Sequence, residues 1–113
     1  MIDVTINRKS SGNIHSFEIS GHAFFANRGK DIVCAGVSAV SIGAINAVHA
    51  LTGVTPEIGQ GEDGFLRCVL PDLPEDVNEK VQLLLEGMVI SLQTIEEDYG
   101  KYINITFKKQ EVE

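Results

Sequence analysis

The sequence predicts an α+β fold: one small domain with element order ββαββαβ, in which a mixed or antiparallel sheet packs with two helices. Three observations carry this. Apolar and polar residues alternate with a period of two near both ends of the chain. Two long proline-free stretches are apolar, one nearly all round and one at three- and four-residue steps. Turns rich in glycine, proline, serine and asparagine separate these segments. At 113 residues, with 43% hydrophobic and 22% charged residues, the chain suits a single core that needs neither disulfides nor metal. The domain is expected over 1–108, with 109–113 as a loose C-terminal tail.

Taken in order, Ile2, Val4 and Ile6 alternate with Asp3, Thr5 and Asn7, the pattern of a strand with one buried face. Turn chemistry at Ser10, Ser11, Gly12 and Asn13 leads to a second strand in which His15, Phe17 and Ile19 share a parity, so the two form a hairpin. A helix is expected over 32–51, apolar on nearly all sides and therefore covered by more than one layer, with Gly53 and Pro56 as stop signals. Short strands are expected at 57–60 and 65–70 around the turn residues 61–64. Pro74 suits the first turn of a second helix, whose apolar stripe runs from Val77 through Val81, Leu84, Leu85, Met88, Leu92 and Ile95 to Tyr99. Gly100 fits the position beyond its end. A last strand is expected over 101–108.

Charge and cysteine usage limit the function. A formal charge of −7 argues against nonspecific nucleic-acid binding, which needs clustered Lys and Arg; it is consistent with simple solubility or with a basic protein partner. The N-terminal residues pass directly into strand alternation without a leader-like apolar run. The apolar stretch 32–51 is interrupted by Ser38, Ser41, Asn46 and His49 and reads as a buried helix, not a membrane span. A cytoplasmic location and reduced thiols are the corresponding expectations.

The chemistry concentrates between Gly21 and Ser38. Asp31 can cap the helix that follows it, which places Cys34 in the first helical turn. There the open N–H groups and the helix dipole, worth roughly 0.3–1 kcal/mol when exposed, favour thiolate over thiol. An imidazolium nearby would add to that, and geometry selects His22. His49 lies on the same helix about 22 Å from Cys34, and His15 lies up to ~23 Å before His22 along an extended strand. Cys34 with His22 is therefore a candidate nucleophile and acid–base pair, with N–H groups of the helix start, that of Cys34 included, as candidate oxyanion donors.

The neighbouring residues carry alternatives. Asp31 can cap the helix, orient His22, or divide its oxygens between the two. Phe24, Phe25, Arg28, Gly29 and Lys30 form either a lid over a peptide or a surface loop whose phenylalanines pack on the sheet. Ser38 and Ser41 share the Cys34 face and either line the site or bond back to their own helix. Glu62 and Asp63 lack the ligand series of a calcium loop, and no zinc ligand set accompanies His22 and Cys34, so no metal or other cofactor is expected.

The pattern Gly21-His22-Ala23, Gly29, then Asp31-Ile32-Val33-Cys34-Ala35 and Val37-Ser38 resembles the signature of the bacterial ribosomal-processing cysteine proteases. The resemblance extends over nearly the whole chain. It implies a cysteine endopeptidase with His22 and Cys34 as catalytic residues and a mobile loop after Gly21 that admits substrate. It further implies a homodimer, and a substrate: the precursor of large-subunit ribosomal protein twenty-seven, whose N-terminal extension is removed after an aromatic pair. Two rival classes are a noncatalytic ribosome-assembly or protein-binding module, in which Cys34 is only a small buried residue, and a thiol redox enzyme using Cys34 with Cys68.

Overall fold

The computed structural model describes residues 1–27 and 29–110. It has the expected order, β1 (Ile2–Arg8), β2 (Ile14–Ser20), α1 (Ile32–Thr52), β3 (Glu57–Gln60), β4 (Leu66–Val69), α2 (Glu75–Tyr99) and β5 (Ile103–Lys109). The five strands form one mixed sheet in the order β3-β4-β2-β1-β5. β1 and β2 are an antiparallel hairpin with Val4 opposite Ile19 and Ile6 opposite Phe17; β5 runs parallel to β1.

The register explains the core. Val4, Ile6, Phe17, Ile19, Leu66, Cys68 and Ile103 all fall on one sheet face and are buried. Val33, Val37 and Val48 of α1 and Val81, Leu85, Met88, Val89 and Leu92 of α2 join them in a single cluster. Asp3 and Asn104, on the opposite parity, are exposed. The hairpin carries an irregularity at Asn7 and Arg8, beyond which Arg8 pairs with Ile14. There the Gln82 side chain of α2 accepts from the Ile14 N–H and donates to the Ile14 carbonyl, both at 2.8 Å.

Several boundaries and one expectation change. Pro74 is the N-cap of α2, one place before the first turn, because its extended ψ of 149° cannot be helical. β5 continues to Lys109, and the Gln110 N–H reaches the Arg8 carbonyl at 3.0 Å, so chain order extends into the segment expected to be loose; residues 111–113 lie outside the described residues. Helix α1 is not covered on all sides. Ile32, Ile42 and Leu51 are exposed, because α2 and the sheet lie on one side of it only and its remaining apolar surface is mostly alanine and glycine. α1 is also long and apolar enough to cross a membrane by length and composition, with mean hydropathy 1.7; its inward face packs in the core.

Candidate active site

The start of α1 is organised by one carboxylate. Asp31 has extended backbone (φ −84°, ψ 101°) and caps the helix: its Oδ1 accepts from the N–H groups of Val33 and Cys34, each at 3.0 Å. Its Oδ2 accepts from Phe25 at 3.0 Å and Ala26 at 3.4 Å. Partial burial pushes this carboxyl up, but the N–H groups of Cys34, Ala26 and Phe25, with the Cys34 side chain adding, outweigh that and hold it below its ordinary value of 3.8. Asp31 thus divides its oxygens between the helix and the loop; among the described residues it makes no bond to His22.

His22 reaches the same place from β2. Gly21 turns the chain with φ +86°, and a side chain there would collide with the Met1 carbonyl oxygen. Its N–H donates to the Asp63 carbonyl at 2.7 Å. His22 is exposed and stands edge-on to Phe24, with ring centroids 6.0 Å apart. The next amide, that of buried Ala23, donates to the Cys34 sulfur at 3.3 Å. Cys34 itself is half-buried and free. No hydrogen bond joins the His22 ring to the Cys34 thiol among the described residues, but both line one cleft of about 820 Å³.

Three segments build that cleft. Helix α1 and its cap contribute Asp31, Cys34, Ala35 and Ser38, the loop contributes His22, Phe24, Ala26 and Gly29, and the turn between β3 and β4 contributes residues 61–64. The two phenylalanines divide the alternatives for the loop. Phe24 is 77% exposed at the cleft, in a left-handed conformation with φ +56° that is costly for a bulky residue. Phe25 instead packs edge-on against Tyr99 and Tyr102 at 5.7 and 5.1 Å. Lys30 is exposed and closes a turn onto the Asn27 carbonyl, and it is not among the cleft-lining residues; Arg28 lies outside the described residues. The serines also divide: Ser38 lines the cleft, whereas Ser41 is buried and bonds back to the Val37 carbonyl at 2.7 Å.

Two features differ from the reading of the sequence. The Cys34 N–H expected to hold an oxyanion already donates to Asp31, because an aspartate cap saturates the N–H groups two and three residues beyond it. The wall formed by residues 61–64 had no signal beyond its turn composition; it reaches the site because β4 pairs with β2 and returns the turn to the end of β2. Elsewhere, His49 sits near the end of α1 with its Nδ1 3.1 Å from the Thr55 hydroxyl. Cys68 is buried on β4, where burial pushes its thiol up to about 11.

The model of the family described as cysteine protease Prp matches residues 1–104. The chain belongs to the Prp cysteine protease family. It is 48% identical over 108 residues to the ribosomal-processing cysteine protease Prp of Bacillus subtilis, covering 94% of this chain and 96% of the relative. The Staphylococcus aureus Prp with a covalently linked product peptide superposes with a TM-score of 0.88 at 38% identity, covering 96% of this chain and all of that one. The same S. aureus protease with a substrate peptide gives a TM-score of 0.81 at 37% identity, with the same coverage of both chains. As a Prp family member, the chain is a cysteine protease.

Proposed function

We propose that this protease removes the N-terminal extension of large-subunit ribosomal protein twenty-seven during bacterial ribosome maturation, with Cys34 as nucleophile and His22 as general acid and base. The observation that carries the reading is the placement of Cys34 in the first turn of α1 and His22 at the end of β2 on the same cleft. Its relatives are ribosomal-processing cysteine proteases, which supports a ribosomal protein as the substrate class.

The Cys34 thiolate attacks the scissile carbonyl carbon, forming a C–S bond while the carbonyl π pair moves to oxygen. Collapse of the tetrahedral intermediate breaks the C–N bond, and the leaving amine takes its proton from the His22 imidazolium. Neutral His22 then draws a proton from water, which attacks the thioester and releases Cys34. Its exposed ring reaches the leaving group by side-chain rotation as the peptide fills the cleft; catalytic hydrogen bonds often tighten only in that complex. Asp31 is a positioning residue in this scheme, through both the helix start and the loop. Ser38, Phe24 and Gly29 contact the substrate; Gly21 sets the course of the chain into His22, and Phe25, Arg28 and Lys30 complete the loop.

Partners follow from the same reading. The protein acts in the cytoplasm as a homodimer on the ribosomal precursor. The charge of −7 suits a basic substrate protein better than a nucleic acid.

The test is a mass-spectrometric cleavage assay on a peptide spanning the extension junction, with wild type, Cys34→Ser and His22→Ala. Wild type should cut one bond, and both variants should lose at least about 10³-fold in kcat/KM, the scale on which members of a nucleophile–base unit act. Full cleavage by Cys34→Ser would overturn the dyad. An intact peptide and intact precursor with wild type would reject the substrate.

A further inference from the structure

We infer that the backbone amide of Ala23 is the donor that holds the Cys34 sulfur before reaction and the oxyanion after attack. This rests on Cys34 as the nucleophile. Two observations point to it. Three N–H groups of the first turn are engaged, those of Val33 and Cys34 by the Asp31 carboxylate and that of Ala35 by the Asp31 carbonyl at 3.1 Å. The Ala23 N–H, in contrast, has no backbone carbonyl partner among the described residues and donates to Sγ itself at 3.3 Å.

The fold holds that amide in place. Gly21 at φ +86° and Phe24 at φ +56° bracket the His22-Ala23 segment and turn it over the helix start. The Gly21 N–H is clamped by the Asp63 carbonyl, and the Ala23 methyl is buried. Gly64 packs so closely that a Cβ there would come within 2.6 Å of the Gly21 carbonyl oxygen. A donor fixed in this way pays no reorganisation during the reaction.

When the C–S bond forms, the carbonyl π pair becomes an oxyanion on the carbon attached to Sγ. The sulfur loses its charge and becomes a poorer acceptor, while the oxygen beside it becomes a strong one. The Ala23 N–H transfers from sulfur to that oxygen, and the Asp31 cap stays intact throughout. The paired carboxylate oxygen also explains why the Cys34 N–H is not released: freeing it would break the cap.

The first test leaves the chain unaltered. A peptide aldehyde with the junction sequence adds its carbonyl carbon to the Cys34 sulfur, and the thiol proton passes to the carbonyl oxygen or to solvent, giving a tetrahedral adduct. In ¹⁵N-labelled protein the Ala23 amide proton should move downfield on adduct formation, more than that of Cys34. A downfield shift of the Cys34 amide with Ala23 unmoved would overturn the inference while leaving Cys34 as nucleophile; failure of the aldehyde to add at Cys34 in protein that still cleaves the junction peptide would instead remove the nucleophile on which it rests. The second test replaces Ala23 by lactate, joining synthetic 1–33 to 34–113 at Cys34, so that one N–H becomes an ester oxygen and the methyl is kept. With folding verified by circular dichroism against the all-amide protein made in the same way, acylation should slow roughly 10²- to 10³-fold, as for loss of one oxyanion donor. Alkylation of Cys34 at neutral pH should slow about threefold or more. Acylation within about threefold of the all-amide protein would overturn the inference.

Discussion

At Asp31, two oxygens on one side chain answer four N–H groups, two from the helix and two from the loop. Asparagine caps helices nearly as well but offers a single acceptor oxygen. Asp31→Asn should therefore fold and keep its helix start while losing the tie to Phe25 and Ala26; cleavage should fall roughly 10- to 100-fold, the scale of a small misplacement at a reacting centre. The same carboxyl titrates lower in the folded protein than its ordinary value of 3.8. A depressed folded value gives stability that is fully present above the unfolded value and is lost as pH falls through the folded one. Urea unfolding of wild type should show that acid-side loss, and Asp31→Asn should lack this contribution.

At the scale of elements, the active segments hang on contacts made elsewhere. Helix α2 is tied to the hairpin by Arg8, whose guanidinium meets Glu86 at 2.7 and 2.8 Å; the hydrogen bond to Glu86 holds Arg8 above its ordinary value against partial burial. Beside it, Gln82 satisfies both backbone groups of Ile14 where the register shifts. These groups have lost their regular ladder partner, so removing the amide leaves a donor and an acceptor unmet. Gln82→Leu should destabilise the protein by about 1–3 kcal/mol, measured by urea unfolding, while Gln82→Glu, which keeps only the acceptor, should recover part of that loss.

For the molecule as a whole, the apolar stripe of α2 is consumed inside the chain: Val81, Leu85, Met88 and Leu92 are buried. Leu83 and Ile90 of α2 stay exposed as well as Ile42 of α1; the face assigned to the proposed homodimer is that of α1, where Ile42 is 41% exposed beside the small residues Ala39 and Gly43. Small residues allow a second backbone to approach, and apolar burial contributes about 25 cal/mol per Å². Sedimentation velocity should give a dimer for wild type and a folded monomer for Ile42→Glu. A wild type that sediments as a monomer at all working concentrations would remove the dimer.

The element order and the core faces were legible because local pattern determines them: alternation in β1 and β2, the stripe of α2, and the Asp31 and Gly53 ends of α1 each need only neighbouring residues. The positions of His22, Asp31 and Cys34 were legible for the same reason, being bound to a strand end and a helix start. Tertiary structure decided the rest. Which N–H faces the Cys34 sulfur depends on Gly21, turned over the helix and clamped by Asp63 from a strand pair some forty residues away. Whether a phenylalanine faces the cleft or the tyrosines depends on where α2 ends. The wall at residues 61–64 depends on β4 pairing with β2. Each is a contact between segments distant in sequence, where chain closure and sheet register, not local propensity, select the neighbour.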